Sequence, residues 1–138
     1  MADFKFVRAL NGMTPQTELV IAGGAMEVGD IVIHSSDKVI KATGDDTVAE
    51  IAGLCLGKYQ EDGVAIADED LVQILPLGPD ILLEGTVNAA GDAIGTAVGI
   101  DLTSTVLSFD STETNKVGYV YKVVDADDYL VQVRMAAL

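Results

Sequence analysis

Short runs of Val, Ile, Leu and Tyr recur along this chain, and each is closed by Gly, Asp, Asn or Ser. That punctuation is the strand-and-turn pattern of an all-β domain. The runs are Glu18 to Ala22, Asp30 to His34, Lys38 to Ala42, Glu50 to Tyr59, Leu71 to Leu75, Ile81 to Glu84, Gly99 to Leu102, Val106 to Phe109, Lys116 to Val124 and Tyr129 to Met135. Alternation is clearest in the last, where Tyr129, Val131, Val133 and Met135 share one face and Leu130, Gln132 and Arg134 the other. A period of two suits a half-buried strand. Asp125-Ala126-Asp127-Asp128 reads as the turn that joins this run to the one before, making an antiparallel hairpin.

The expected architecture is a small β-barrel or β-sandwich of mainly antiparallel strands with at most one short helix. Helical readings exist for residues 14–19, 47–56 and 89–93, with 68–75 ambiguous, and Gly53 and Gly57 weaken the second. Residues 17–138 are read as a single β domain and residues 1–16 as an N-terminal arm. The link Leu75-Pro76-Leu77-Gly78-Pro79-Asp80 is the sharpest break and joins two halves. Val28-Gly29-Asp30-Ile31 is echoed by Ala90-Gly91-Asp92-Ala93, and each is followed by a Gly-centred apolar run around Gly53 and Gly118. The echo is read either as two similar β-hairpin units closing one barrel or sandwich, or as chance. In each Gly-Asp unit, Gly supplies a positive φ or a close backbone approach and Asp bonds the backbone beyond it.

Twenty-two acids against eight Lys and Arg give a formal net charge of −14. A field of that sign repels phosphates, so nucleic acid and anionic membranes are poor partners. No apolar segment is long enough to span a bilayer. Asp3, Lys5 and Arg8 interrupt residues 1–10, which lack the apolar core of a secretory signal, so the expectation is a protein used without export.

The usual catalytic parts are missing. Cys55 lies between Leu54 and Leu56 and reads as a core residue. His34 is the one histidine, and Ser35-Ser36-Asp37 beside it reads as a turn. Acid clusters at 45–46, 61–62, 68–70 and 125–128 read as solvated turns. Calcium at Asp125, Asp127 and Asp128 is a secondary reading without EF-hand spacing. No phosphate loop or dinucleotide motif occurs, and one Cys and one His exclude the usual zinc sets. The chain is read as a non-enzyme without cofactor or metal.

Lys5 and Arg8 lie in Asp3-Phe4-Lys5-Phe6-Val7-Arg8, a segment with alternating aromatics near the terminus. One reading is an edge strand with its charges in water. The other is an arm that docks on a partner, with Phe4, Lys5, Phe6 and Arg8 as the capsid or subunit contacts.

Together, Ala22-Gly23-Gly24-Ala25, Val28-Gly29-Asp30-Ile31-Val32, Ile51-Ala52-Gly53-Leu54-Cys55-Leu56, Ala90-Gly91-Asp92, Lys116-Val117-Gly118-Tyr119-Val120 and Tyr129-Leu130-Val131-Gln132-Val133-Arg134 resemble the head decoration, or cement, proteins of tailed bacteriophages. The resemblance implies a β-barrel or β-sandwich, often a homotrimer, on the outer surface of an icosahedral capsid. It implies a structural virion protein made in the host bacterial cytoplasm, with the major capsid protein and further copies of itself as partners. It carries no catalytic residues. Alternatives are a small ligand- or carbohydrate-binding β domain using Tyr59, Tyr119, Tyr121 or Tyr129, an unrecognised enzyme built on His34, or another virion component such as a connector or tail subunit.

Overall fold

A computed structural model describes residues 4–88, 93–127 and 129–136. It is all-β, and every run read as a strand is one. In chain order the strands are β1 (Lys5–Ala9), β2 (Glu18–Ile21), β3 (Ile31–Ser35), β4 (Lys38–Lys41), β5 (Ile51–Lys58), β6 (Leu71–Leu75), β7 (Ile81–Thr86), β8 (Ala97–Thr103), β9 (Val106–Asp110), β10 (Gly118–Asp125) and β11 (Leu130–Met135). Among the described residues the only helical element is a 3-10 turn at Val48–Glu50. The Glu50 carboxylate there accepts the Thr47 N–H and hydroxyl. From Ile51 the chain is strand and not helix. Residues 14–17 form no helix, and residues 89–92 lie outside the described residues.

The strands form a five-stranded sheet, β2-β6-β5-β3-β4, and a six-stranded one, β1-β7-β11-β10-β8-β9. Without β1 the two orders are the same, with β7 to β11 matching β2 to β6 in sequence. The register matches as well. Leu54 pairs with Leu75 and Cys55 with Ile74, then a bulge at Leu56 precedes Gly57 opposite Gln73. In the second sheet Tyr119 pairs with Arg134 and Val120 with Val133, then a bulge at Tyr121 precedes Lys122 opposite Gln132. A bulge adds one residue and sharpens the local twist, so the same bulge bends both sheets alike. Each sheet curls until β2 meets β4 and β7 meets β9, through the parallel bridges Ala22–Val39 and Val87–Phe109. Ser36 and Ser104 hold the same position in the two-residue turns β3–β4 and β8–β9, each with φ 57°. A positive φ there lets so short a loop follow the strand twist.

This is an internal repeat, with Leu75–Ile81 as its junction. The Gly53–Gly118 match holds. The Gly-Asp echo does not: the counterpart of Gly29 is Gly95. Both have positive φ, 93° and 91°, and both donate to the matching carbonyl, Cys55 O at 2.9 Å and Val120 O at 2.8 Å. Asp92 lies outside the described residues, and Asp30 reaches backward, accepting the Glu27 N–H at 2.9 Å.

The interiors correspond residue by residue. Ala22, Val32, Val39, Cys55, Val72 and Ile74 fill the first curl; Val87, Val98, Phe109, Val120, Val131 and Val133 occupy the same places in the second. Cys55 is fully buried, and burial pushes its thiol up to about 11, so it stays protonated as a core residue. Phe109 replaces Val39 in the second curl and Gly85 replaces Val20. A Cβ on Gly85 would stand 2.7 Å from the Phe4 ring. The space left by glycine admits Phe4, which meets Phe109 edge-on with ring centroids 4.7 Å apart.

Phe4 is only 3% exposed. The expected arm is therefore not free over residues 4–9: β1 is the edge strand of the six-stranded sheet, antiparallel to β7. The Phe4 N–H also bonds Gly29 O at 3.0 Å, tying the strand to the first repeat. Asp45 makes a second tie between the repeats, accepting the Asn115 N–H at 2.8 Å.

Candidate attachment surface

The two repeats differ most on their outer faces. Ile31, Leu54 and Leu75 on the first are buried in the main core, which they share with residues of the second. Their respective counterparts are Ala97, Tyr119 and Arg134, and Tyr119 is 54% exposed. The surface that holds the repeats together is thus repeated, with polar and amphipathic side chains, on the open side of the six-stranded sheet.

Cross-strand pairing sets out that face in rows, because directly opposed residues point the same way. One row runs Arg8, Leu82, Arg134, Tyr119. The next runs Lys5, Glu84, Gln132, Lys122. Leu82 is fully buried although it lies on this face. Arg8 and Arg134 flank it, and long cationic side chains cover apolar surface with their stems while their heads stay in water.

Four of the eight Lys and Arg of the chain stand here. The other four are engaged. Lys38 pairs with Glu69, Lys41 with Asp30, Lys58 with Glu61 and Asp70, and Lys116 donates to the Ser111 and Glu113 carbonyls. On the face, Lys5 meets Glu84 at 3.8 Å and Arg134 donates through Nε to Pro79 O at 3.0 Å. Among the described residues no carboxylate lies within ion-pair distance of Arg8, Lys122 or Arg134. A chain of net charge −14 therefore presents one sheet face whose free charge is positive.

Of the four sequence candidates, Lys5 and Arg8 belong to this face. Phe4 does not, being core. Phe6 is half-buried and packs against the core from the opposite side of β1. Two shallow grooves flank β1, of about 300 Å³ and 190 Å³, and Phe6 borders both. Lys122, Arg134 and Tyr119 were not singled out as contacts, although the alternation of residues 129–135 already put Gln132 and Arg134 on one face. All four tyrosines, Tyr59, Tyr119, Tyr121 and Tyr129, are exposed.

The remaining chemical candidates resolve into structure. His34 is an exposed strand residue opposite Val39. Asp46 is buried rather than solvated, accepting the Thr43 hydroxyl at 3.0 Å and the Gly44 N–H at 2.9 Å. Asp125 accepts the Asp127 N–H at 2.9 Å, and Asp128 lies outside the described residues. Asp101, Asp110 and Glu113 instead bring carboxylates within 4.8 Å of one another. For Asp110, burial alone raises the pKa, but hydrogen bonds from Thr112 and Asn88 and the Lys116 charge outweigh it and hold the group below the usual range. Glu113 is pushed the other way by burial and by Asp101, Asp45 and Asp110.

A carboxyl whose pKa is raised on folding favours the fold while protonated, and that contribution is lost as pH rises through its folded pKa. Glu113→Gln is therefore expected to raise the melting temperature at pH 7, by about 0.5 kcal/mol in stability. The gain should vanish at pH 4, where Glu113 already holds a proton. Calorimetry at the two pH values checks both.

No protein-family model matches the chain, and no curated protein matches it.

Proposed function

We propose that this chain is a structural virion protein that binds the outer surface of an icosahedral phage capsid and stabilises it by bridging major capsid subunits. The observation that carries the reading is the row-ordered face of Lys5, Arg8, Lys122 and Arg134 with Tyr119 on an otherwise acidic β domain. Tyr and Arg are the residues that anchor protein interfaces. Opposite charge steers such a face onto an acidic protein surface, and like charge turns the rest of the molecule away from it. Attachment at several neighbouring subunits links weak contacts into one avid grip, most simply by a homotrimer. A ligand that binds only the assembled shell stabilises that state by mass action. The role needs no catalytic residue, cofactor or metal, and neither nucleic acid nor membrane is a partner. The protein is made in the host bacterial cytoplasm and ends on the capsid exterior.

Co-sedimentation with shells assembled from the major capsid protein of the same genome tests this. The native protein is expected to pellet with shells and not to bind unassembled subunits. Lys122→Glu with Arg134→Glu is expected to weaken pelleting at least tenfold while leaving the fold intact by circular dichroism. Native protein left in the supernatant, or undiminished pelleting of the charge-reversed variant, would refute the reading. The exposed tyrosines favour carbohydrate binding as the second reading, and a glycan array separates the two.

A further inference from the structure

The repeats differ at one edge. In the second, β1 lies along the N-terminal half of β7, opposite Ile81 to Glu84. Leu83 and Glu84 correspond to Glu18 and Leu19, through their shared partners on β11 and β6. No strand among the described residues pairs with that outer edge of β2. Beyond it both repeats close in the same way, through Ala22–Val39 and Val87–Phe109. The first repeat thus leaves open the strand position that β1 fills in the second.

Its interior is already complete, since the Val20 side chain takes the place where Gly85 admits Phe4. What the position offers is backbone pairing, with Glu18 exposed and Leu19 47% exposed beside it. No strand among the described residues pairs with the outer edge of β1 either. Unpaired edges are templates for pairing with another chain unless something blunts them. Charge decides between the possible pairings. β1 against β1 would oppose Lys5 and Arg8 to themselves, and β2 against β2 would oppose Glu18 to itself. Only β1 against β2 brings opposite charges together.

We infer that copies of this chain assemble head to tail, with the outer edge of β1 in one copy pairing with the outer edge of β2 in the next. Such a contact joins two different surfaces, so it propagates and must close into a ring to stay finite. The inference rests on the homo-oligomer proposed above and assigns the surfaces that build it.

Light scattering coupled to gel filtration tests it on the full chain. The native protein is expected at a whole multiple of the 14.4 kDa monomer, threefold for a trimer. Glu18→Lys is expected to fall to the monomer mass, and so is Lys5→Glu with Arg8→Glu. The triple variant carrying all three exchanges carries swapped charges on both edges and is expected to recover the native mass. A monomeric native protein, a Glu18→Lys protein of native mass, or a triple variant that stays monomeric would overturn the inference. A monomer that still pellets with shells sinks the edge pairing alone; an oligomer that ignores shells sinks the capsid reading alone.

Discussion

Phe109→Ala is expected to cost about 3–5 kcal/mol, the range for emptying a buried aromatic site. The ring is fully buried inside the second curl, touches Phe4, and sits on the strand whose bridge to Val87 closes the sheet. Its loss also removes the surface against which β1 packs. Phe4→Ala should be nearly as damaging, and the double variant should fall short of the sum by about 0.5–1.5 kcal/mol, the coupling of an aromatic pair. Urea unfolding of the three variants measures this. Removal of residues 2–8, by the same reasoning, is expected to destabilise the domain as well as to weaken the proposed attachment. A truncation as stable as the native chain would place Phe4 outside the core.

Gly53→Ala and Gly118→Ala are expected to be costly in equal measure. A Cβ at Gly53 would lie 2.5 Å from the Leu75 carbonyl oxygen, and one at Gly118 would lie 2.5 Å from that of Arg134. In each case the obstacle is backbone of the neighbouring strand, which cannot swing aside as a side-chain tip can. The penalty is expected near the upper end of overpacking costs, about 3 kcal/mol. The two glycines hold equivalent places, each opposite a valine of the preceding repeat strand, Val32 and Val98. Thermal unfolding of the variants should therefore show similar shifts. A large effect at one glycine with none at the other would mean that the repeats do not share the geometry assigned to them.

The strands were legible because aliphatic runs and turn residues act locally. The hairpin of β10 and β11 was legible for the same reason: its acidic turn and its alternation lie within one short stretch. The repeat was readable only at Gly53 and Gly118. What the repeats share is backbone geometry, a bulge at Leu56 and Tyr121 and a positive φ at Gly29 and Gly95. Side chains at matching outer positions, such as Leu54 and Tyr119, differ because one face is buried and the other meets water. The letter match at Gly91-Asp92 therefore falls four residues ahead of the true counterpart of Gly29, Gly95.

The place of Phe4 depended on Gly85, a residue far along the chain whose missing Cβ makes the room. Strict alternation would put Arg8 on the face of Phe4 and Phe6; the bulge between Phe6 and Arg8 turns it to the face of Lys5, and nothing local to the segment shows which body buries the rings. The proposed attachment face was half legible. Lys5 and Arg8 stood out near the terminus, whereas Lys122 and Arg134 joined them only once the order β1-β7-β11-β10 put four distant stretches side by side.

Electron cryomicroscopy of shells incubated with the protein decides whether it binds them. Density is expected on the outer surface of the shell, with the face bearing Arg8, Arg134 and Tyr119 turned down onto acidic capsid residues and the acidic loops turned outward. Density in which that face looks into solvent, or a shell with no added density at saturating protein, would contradict the proposed attachment.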